Sequence, residues 1–255
     1  MPLKQRFFFG MLLIAGLNFL GAPIANAEDA PDKSGFQLNV YGGVADLTTG
    51  FGNEWLQGAR APNTLVGSTD SAAFEPGLGV AYDFYIAPYT RVPGIGYILN
   101  DVSVGIDAYY LRGTRKGSVY LAGLGPTNNY NAELSSWQVM FDTQWDFHPI
   151  WNIIPFAQVG FGDAIDSLSY NEVNTIRSAN NQRVINLPKG VESNLAYDVG
   201  GGVKVPMSTH SQLSLRYLYS DLGTASAMSS ELANPIDVNM HSSSLLLGFT
   251  YLFGS

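Results

Sequence analysis

Apolar side chains recur at every second position through most of the chain, in eight segments separated by stretches rich in Gly, Pro, Asn and Ser. A period of two belongs to the β-strand, whose successive side chains point to opposite faces. The first segment, 36–47, sets Phe36, Leu38, Val40 and Val44 against Gln37, Asn39, Tyr41 and Gly43. The second, 72–85, sets Phe74, Leu78, Val80, Tyr82 and Phe84 against Glu75, Gly77, Gly79, Ala81 and Asp83. The split continues at 101–120 (Val102, Val104, Ile106 against Ser103, Gly105, Asp107), 130–147 (Trp137, Val139, Phe141, Trp145 against Gln138, Asp142, Gln144, Asp146) and 155–163 (Ala157, Val159, Phe161 against Gln158, Gly160, Gly162). It ends with 194–205 (Leu195, Tyr197, Val199, Val203 against Asp198, Gly200, Gly202, Lys204), 212–221 (Leu213, Leu215, Tyr217 against Gln212, Ser214, Arg216) and 238–253 (Leu245, Leu247, Phe249, Tyr251, Phe253 against Ser244, Gly248, Thr250).

Two architectures share this period and differ in which face is wet. A soluble sandwich or barrel turns the apolar face inward. A membrane barrel turns it outward to lipid, because every backbone polar group in a bilayer must find its partner within a closed sheet. The polar face here carries many small residues (Gly43, Gly77, Gly79, Gly105, Gly160, Gly162, Gly200, Gly202), which suits a narrow lumen. The apolar face carries aromatics near strand ends, as membrane girdles do. The pattern predicts an all-β fold: an eight-stranded antiparallel up-and-down transmembrane β-barrel over 36–253. Connections at 48–71, 164–193 and 222–237 read as long polar loops and 121–129 as a shorter one, whereas 148–154 and 206–211 read as tight turns. Such alternation matches surface loops on one side and periplasmic turns on the other. The connection 86–100, with Pro88, Pro93, Gly94 and Gly96, is too long for that scheme.

The beginning of the chain follows a different pattern. Lys4 and Arg6 precede an apolar run, Phe7 to Leu20, and Ala25-Asn26-Ala27 offers a small-x-small cleavage site. These three parts predict a signal peptide at 1–27, with 28–35 as a polar lead-in. Its removal leaves 11 basic residues against 21 acidic ones, which argues against nucleic-acid binding. There is no Cys, which excludes a disulfide framework and a thiolate metal site. His148, His210 and His241 are too scattered for a metal site, and Gly200-Gly201-Gly202 falls inside a predicted strand rather than in a phosphate loop, so no cofactor is expected.

The last strand, Leu245-Leu246-Leu247-Gly248-Phe249-Thr250-Tyr251-Leu252-Phe253, resembles the terminal strand read by the outer-membrane assembly machinery, although Gly254-Ser255 follow it. With the signal peptide and the eight strands, the chain resembles the small outer-membrane barrel superfamily that includes the outer membrane protein A transmembrane domain and opacity-type proteins. The resemblance covers about 36–253 and implies an outer-membrane location. It also implies contact with outer-membrane lipid and lipopolysaccharide, and docking on the assembly machinery through the C-terminal strand.

Three sets of residues could carry chemistry. Asp83, Asp107, Asp142, Asp146, Asp198, Lys204 and Arg216 all fall on the lumen parity. Buried charges must be paired, so they are expected to form an ion-pair network that fills the lumen, a cation-favouring pore being the alternative. His241 and Ser243 are similar to the His-x-Ser pair of outer-membrane lipid A deacylases, which implies a serine nucleophile and a histidine base. No acid follows Ser243, and Glu231 and Asp237 are distant substitutes, so a rim histidine beside a serine-rich strand entry is the plainer reading. Phe51, Trp55, Leu56 and Arg60 in the first loop, and Arg177, Arg183 and Lys189 in the third, could meet lipopolysaccharide phosphates or host or environmental ligands. The function expected is a non-enzymatic envelope barrel, with an acyl hydrolase or a small pore as alternatives.

Overall fold

The computed structural model describes residues 34–51, 53–57, 61–69, 72–87, 90–92, 96–121, 125–174 and 184–253. The expected signal peptide, most of the lead-in, Arg60, Pro88, Pro93, Gly94, Arg177, Arg183 and Gly254-Ser255 lie outside the described residues.

The strands in chain order are β1 (Gly35–Phe51), β2 (Thr64–Thr69), β3 (Ala72–Tyr85), β4 (Arg91–Val92), β5 (Gly96–Tyr97), β6 (Leu99–Leu121), β7 (Gly125–Phe147), β8 (Ile154–Asn174), β9 (Asn186–Ser208), β10 (Ser211–Ala227) and β11 (Ile236–Phe253). Their pairings are antiparallel and run β3-β1-β11-β10-β9-β8-β7-β6. Strand β6 also pairs with β3, from Gly77↔Tyr109 to Tyr85↔Asp101, so the ladder returns to its start. Strand β2 pairs with β6 farther along, from Thr64↔Tyr120 to Thr69↔Arg115, and so lies in line with β3. Strands β4 and β5 form a separate two-stranded ladder inside the long 86–100 connection. The first and last long strands meet at Phe36↔Phe253, which defines the near end; Phe51↔Val238 marks the far end.

The strands reach well past the predicted boundaries at the far end. Segments expected as loops are largely ladder: β1 continues to Phe51, β8 to Asn174 and β10 to Ala227, while β9 begins at Asn186. Strand β2 occupies part of the expected first loop, and β6 and β7 fill all of 121–129 except 122–124.

The reason is an inversion of the two faces along each strand. In the near half the outward positions are apolar: Phe36, Leu78, Val80, Ile106, Val139, Phe161, Val199, Leu215 and Phe249 are all exposed. The inward positions there are polar and buried, among them Gln37, Asn39, Asp107, Gln144, Gln158, Ser214 and Thr250. In the far half the polarity reverses. Leu47, Leu111, Leu134, Leu168, Leu222, Ile236 and Val238 point inward and are at most 1% exposed. The outward face carries cross-strand polar pairs, including Arg112–Glu133 (3.1 Å), Ser118–Asn129 (3.1 Å), Thr224–Asn239 (2.8 Å) and Ser226–Asp237 (2.8 Å). Each fully buried leucine of this far core contributes roughly 1.5–3 kcal/mol. The far half is thus organised like a water-soluble barrel and the near half like its inverse.

Candidate functional site in the lumen

Three polar layers fill the interior from the near end to the far end. In the first, Lys204 Nζ donates to Asp146 Oδ2 at 2.6 Å, and Gln144 donates to the other Asp146 oxygen at 2.6 Å. Lys204 also lies 5.6 Å from the centre of the Phe156 ring. Asp83 is buried on the same inner face.

Arg216 is the hub of the second layer. Its guanidinium donates to the hydroxyls of Tyr41 and Tyr109, both at 3.0 Å, and pairs with Asp107 at 3.4 Å. Tyr109 in turn donates to Asp107 at 2.8 Å. The guanidinium sits 4.2 Å over the Tyr41 ring, and the Tyr41 and Tyr109 rings stack with centroids 5.8 Å apart. Asp142 accepts from Gln158 at 2.8 Å. It shares a cross-strand row with Gly160 and Asp198. A Cβ at Gly160 would meet both carboxylates, which would have to swing aside to admit it. Glu75, wholly buried, accepts from Ser244. The cavity left among these side chains, lined by residues such as Asn39, Ser103, Asp142, Gln158 and Arg216, is only about 20 Å³.

The expected lumen residues are therefore all inward and buried, and Lys204 and Arg216 are each paired with a carboxylate. Tyr41, Tyr109 and Glu75 belong to the same set. Parity alone places them there, but only strand register shows that Tyr41 and Tyr109 converge on Arg216.

The third layer closes the far mouth. Asn53–Gln57 folds across it: Glu54 and Asn63 exchange backbone hydrogen bonds, Leu56 bridges to Leu232, and Gln57 N donates to Glu231 O at 3.0 Å. Glu54 is buried beneath this cap, beside Glu172. Glu172 accepts from Tyr170 (2.8 Å), Asn128 (2.9 Å) and the backbone of Ile185 (3.4 Å), while Asn63 donates to Glu54 at 3.4 Å. Burial, and then the neighbouring Glu172 carboxylate, push the Glu54 carboxyl up to about 8. The folded cap therefore binds a proton that the open chain releases near the ordinary carboxylate range. Cap stability is greatest below the unfolded value of 4.5 and falls as pH rises toward about 8. Amide exchange over 53–57, corrected for its intrinsic rate, should accelerate as pH rises from about 4.5 to about 8 and level off above. Glu54→Gln, which keeps a neutral donor toward Glu172, should flatten that dependence; an unchanged slope would refute the assignment.

His241 and Ser243 lie on the outer face near the boundary between the two halves. Strand register brings Asp221 opposite His241, with Asp221 Oδ1 3.5 Å from His241 Nδ1. The imidazole stacks on Tyr219, centroids 6.2 Å apart, and Tyr219 is the cross-strand neighbour of Ser243. Among the described residues His241 Nδ1 makes no hydrogen bond, so the geometry supplies an Asp–His contact without an aligned hydroxyl. The acid is not one of the two that sequence spacing suggested. Elsewhere, Phe51 packs with Tyr130 and beneath Arg115, Trp55 is 37% exposed, and Lys189 is exposed on β9.

No protein-family model and no curated protein matches the chain. Solved structures that resemble it include Neisserial surface protein A, at 13% identity over 87% of this chain and 99% of that one, with a TM-score of 0.41. The outer membrane protein OprG from Pseudomonas aeruginosa is 18% identical over 89% of this chain and 99% of that one, TM-score 0.44. Ail, the attachment invasion locus protein of Yersinia pestis, is 11% identical over 86% and 97%, TM-score 0.37. The chain resembles small outer-membrane β-barrel proteins. Similarity at this level carries no argument for what the chain does. Function has to be read from the ladder and the two faces of this chain.

Proposed function

We propose that the chain is an integral outer-membrane protein: a closed eight-stranded barrel, exported by a signal peptide at 1–27, with 28–35 as a lead-in. It serves the envelope as a non-enzymatic, non-conducting element whose far half stands in water at the cell surface. The observation that carries this reading is the inversion of faces. An apolar belt around a polar interior that holds two buried ion pairs, Lys204–Asp146 and Arg216–Asp107, is stable in lipid and costly in water, whereas the far half has the opposite demand. Outer-membrane phospholipid and lipopolysaccharide surround the belt, and β11, ending at Phe253, is the segment offered to the assembly machinery.

The lumen argues for a plug over a pore. Charged side chains and the stacked tyrosines occupy the near half, and a dry apolar core succeeds them in the far half. An eight-stranded barrel is just wide enough for its own side chains. Purified protein reconstituted in planar bilayers is expected to give no conductance steps above the lipid background. Sustained, protein-dependent steps in the presence of the closed cap would overturn the plugged assignment.

A further inference from the structure

The turn between β7 and β8 at the near end is built unlike the rest of the near end. Ile150 and Ile153 exchange backbone hydrogen bonds of 2.9 and 3.2 Å, which makes Trp151 and Asn152 the two central residues of a tight hairpin. Trp151 has φ +58°, the sole positive φ at a non-glycine among the described residues. Left-handed backbone at the first central position of such a turn favours glycine, and a bulky aromatic there is held against its conformational preference. Its indole is also 89% exposed, with Ile150 at 61% and Ile153 at 41% beside it. Ile98, 47% exposed, is tied to the same turn through a hydrogen bond from His148 N to its carbonyl. The segment 149–154 carries no charged side chain. In open water this would be strained backbone presenting a large apolar side chain to no purpose.

We infer that the Ile150–Ile153 hairpin, led by the Trp151 indole, docks in the headgroup layer of the near-side phospholipid leaflet and anchors the barrel there. Continuity and depth select this occupant. Outward residues of β7 run Trp137, Val139, Phe141, Trp145, Phe147 down the apolar belt, and the hairpin is the next part of the chain. Ile150 lies three positions beyond Phe147, about 10 Å of extended chain and roughly 7 Å of depth at the usual tilt. The polar interfacial layer on each side of the hydrocarbon is of that thickness, about 5–7 Å. Indole, with an apolar body and one N–H donor, partitions into that layer. The inference rests on the outer-membrane reading above.

The test uses the full mature chain in phosphatidylcholine vesicles, in two single-tryptophan forms. One keeps Trp151 and carries Trp55→Phe, Trp137→Phe and Trp145→Phe; the other carries those three changes with Trp151→Phe and Phe141→Trp, because Phe141 lies outward between Ile106 and Phe161 in the middle of the belt. Trp151 emission should be blue-shifted from that of indole in water. It should be quenched more by lipid brominated near the glycerol than by lipid brominated near the chain end, and spared by aqueous iodide. The indole at position 141 should show the opposite order between the two lipids. Quenching of Trp151 by iodide, with none by either lipid, overturns the anchor while leaving the barrel intact. Lipid quenching of neither tryptophan overturns the membrane reading itself. If the multiple variants fail to fold, the difference in quenching between the unsubstituted chain and Trp151→Phe reads the same quantity.

Discussion

Arg216→Met is expected to destabilise the folded protein by about 3–5 kcal/mol, the range for removing one partner of a buried ion pair. The side chain is 4% exposed, and its loss strips the donors from Tyr41 and Tyr109 and leaves the Asp107 carboxylate without its cation. Equilibrium unfolding in denaturant from lipid vesicles measures the difference. The companion variant Arg216→Met with Asp107→Leu should recover part of the loss. Replacing both partners removes the unpaired charge, whereas removing one leaves it buried. A single variant within about 1 kcal/mol of the parent would mean that the hub is solvated and the lumen wet.

The second large effect separates lipid from water at the belt. Val80 is 56% exposed on the outward face of β3, between Leu38 and Ile106 on the neighbouring strands. On a protein bathed in water, Val80→Arg at such a site would change stability by no more than about 0.5 kcal/mol. In the middle of a bilayer it should cost about 2–4 kcal/mol. Asn171→Arg, exposed on the outer face of the far half, supplies the contrast and should be nearly neutral. Equal, small effects at both positions would remove the membrane from the account, whatever the strand topology.

The near half is legible in the sequence because it obeys one rule throughout. Alternation with apolar residues outward places Leu38, Val104, Leu215 and Leu247 on one face and Asp107, Asp142 and Arg216 on the other, and burial agrees at each. The far half obeys the same period with the sign reversed. Leu168, Tyr170 and Glu172 alternate inward with polar neighbours outward, so a rule that seeks apolar outward faces reads them as loop. That parity is also the available signal for Glu172 as a buried carboxylate. Glu54 has no such signal, since the cap that buries it exists only through contacts with Asn63 and with 231–233. Contacts of high sequence separation are equally out of reach. Arg216 and Asp107 lie 109 positions apart, and the carboxylate beside His241 comes from β10, where register and not proximity in the chain selects Asp221.

The reversal of polarity along each strand has a consequence for how the molecule sits. Sliding it inward by two residues would draw Arg112, Glu133, Asp221 and His241 toward hydrocarbon, and sliding it outward would lift Phe74, Trp137 and Leu195 into water. On the outer-membrane reading either displacement raises the free energy, so the protein would carry its own waterline, drawn in its side chains. Bilayers thinner or thicker than that belt should have to deform to meet it.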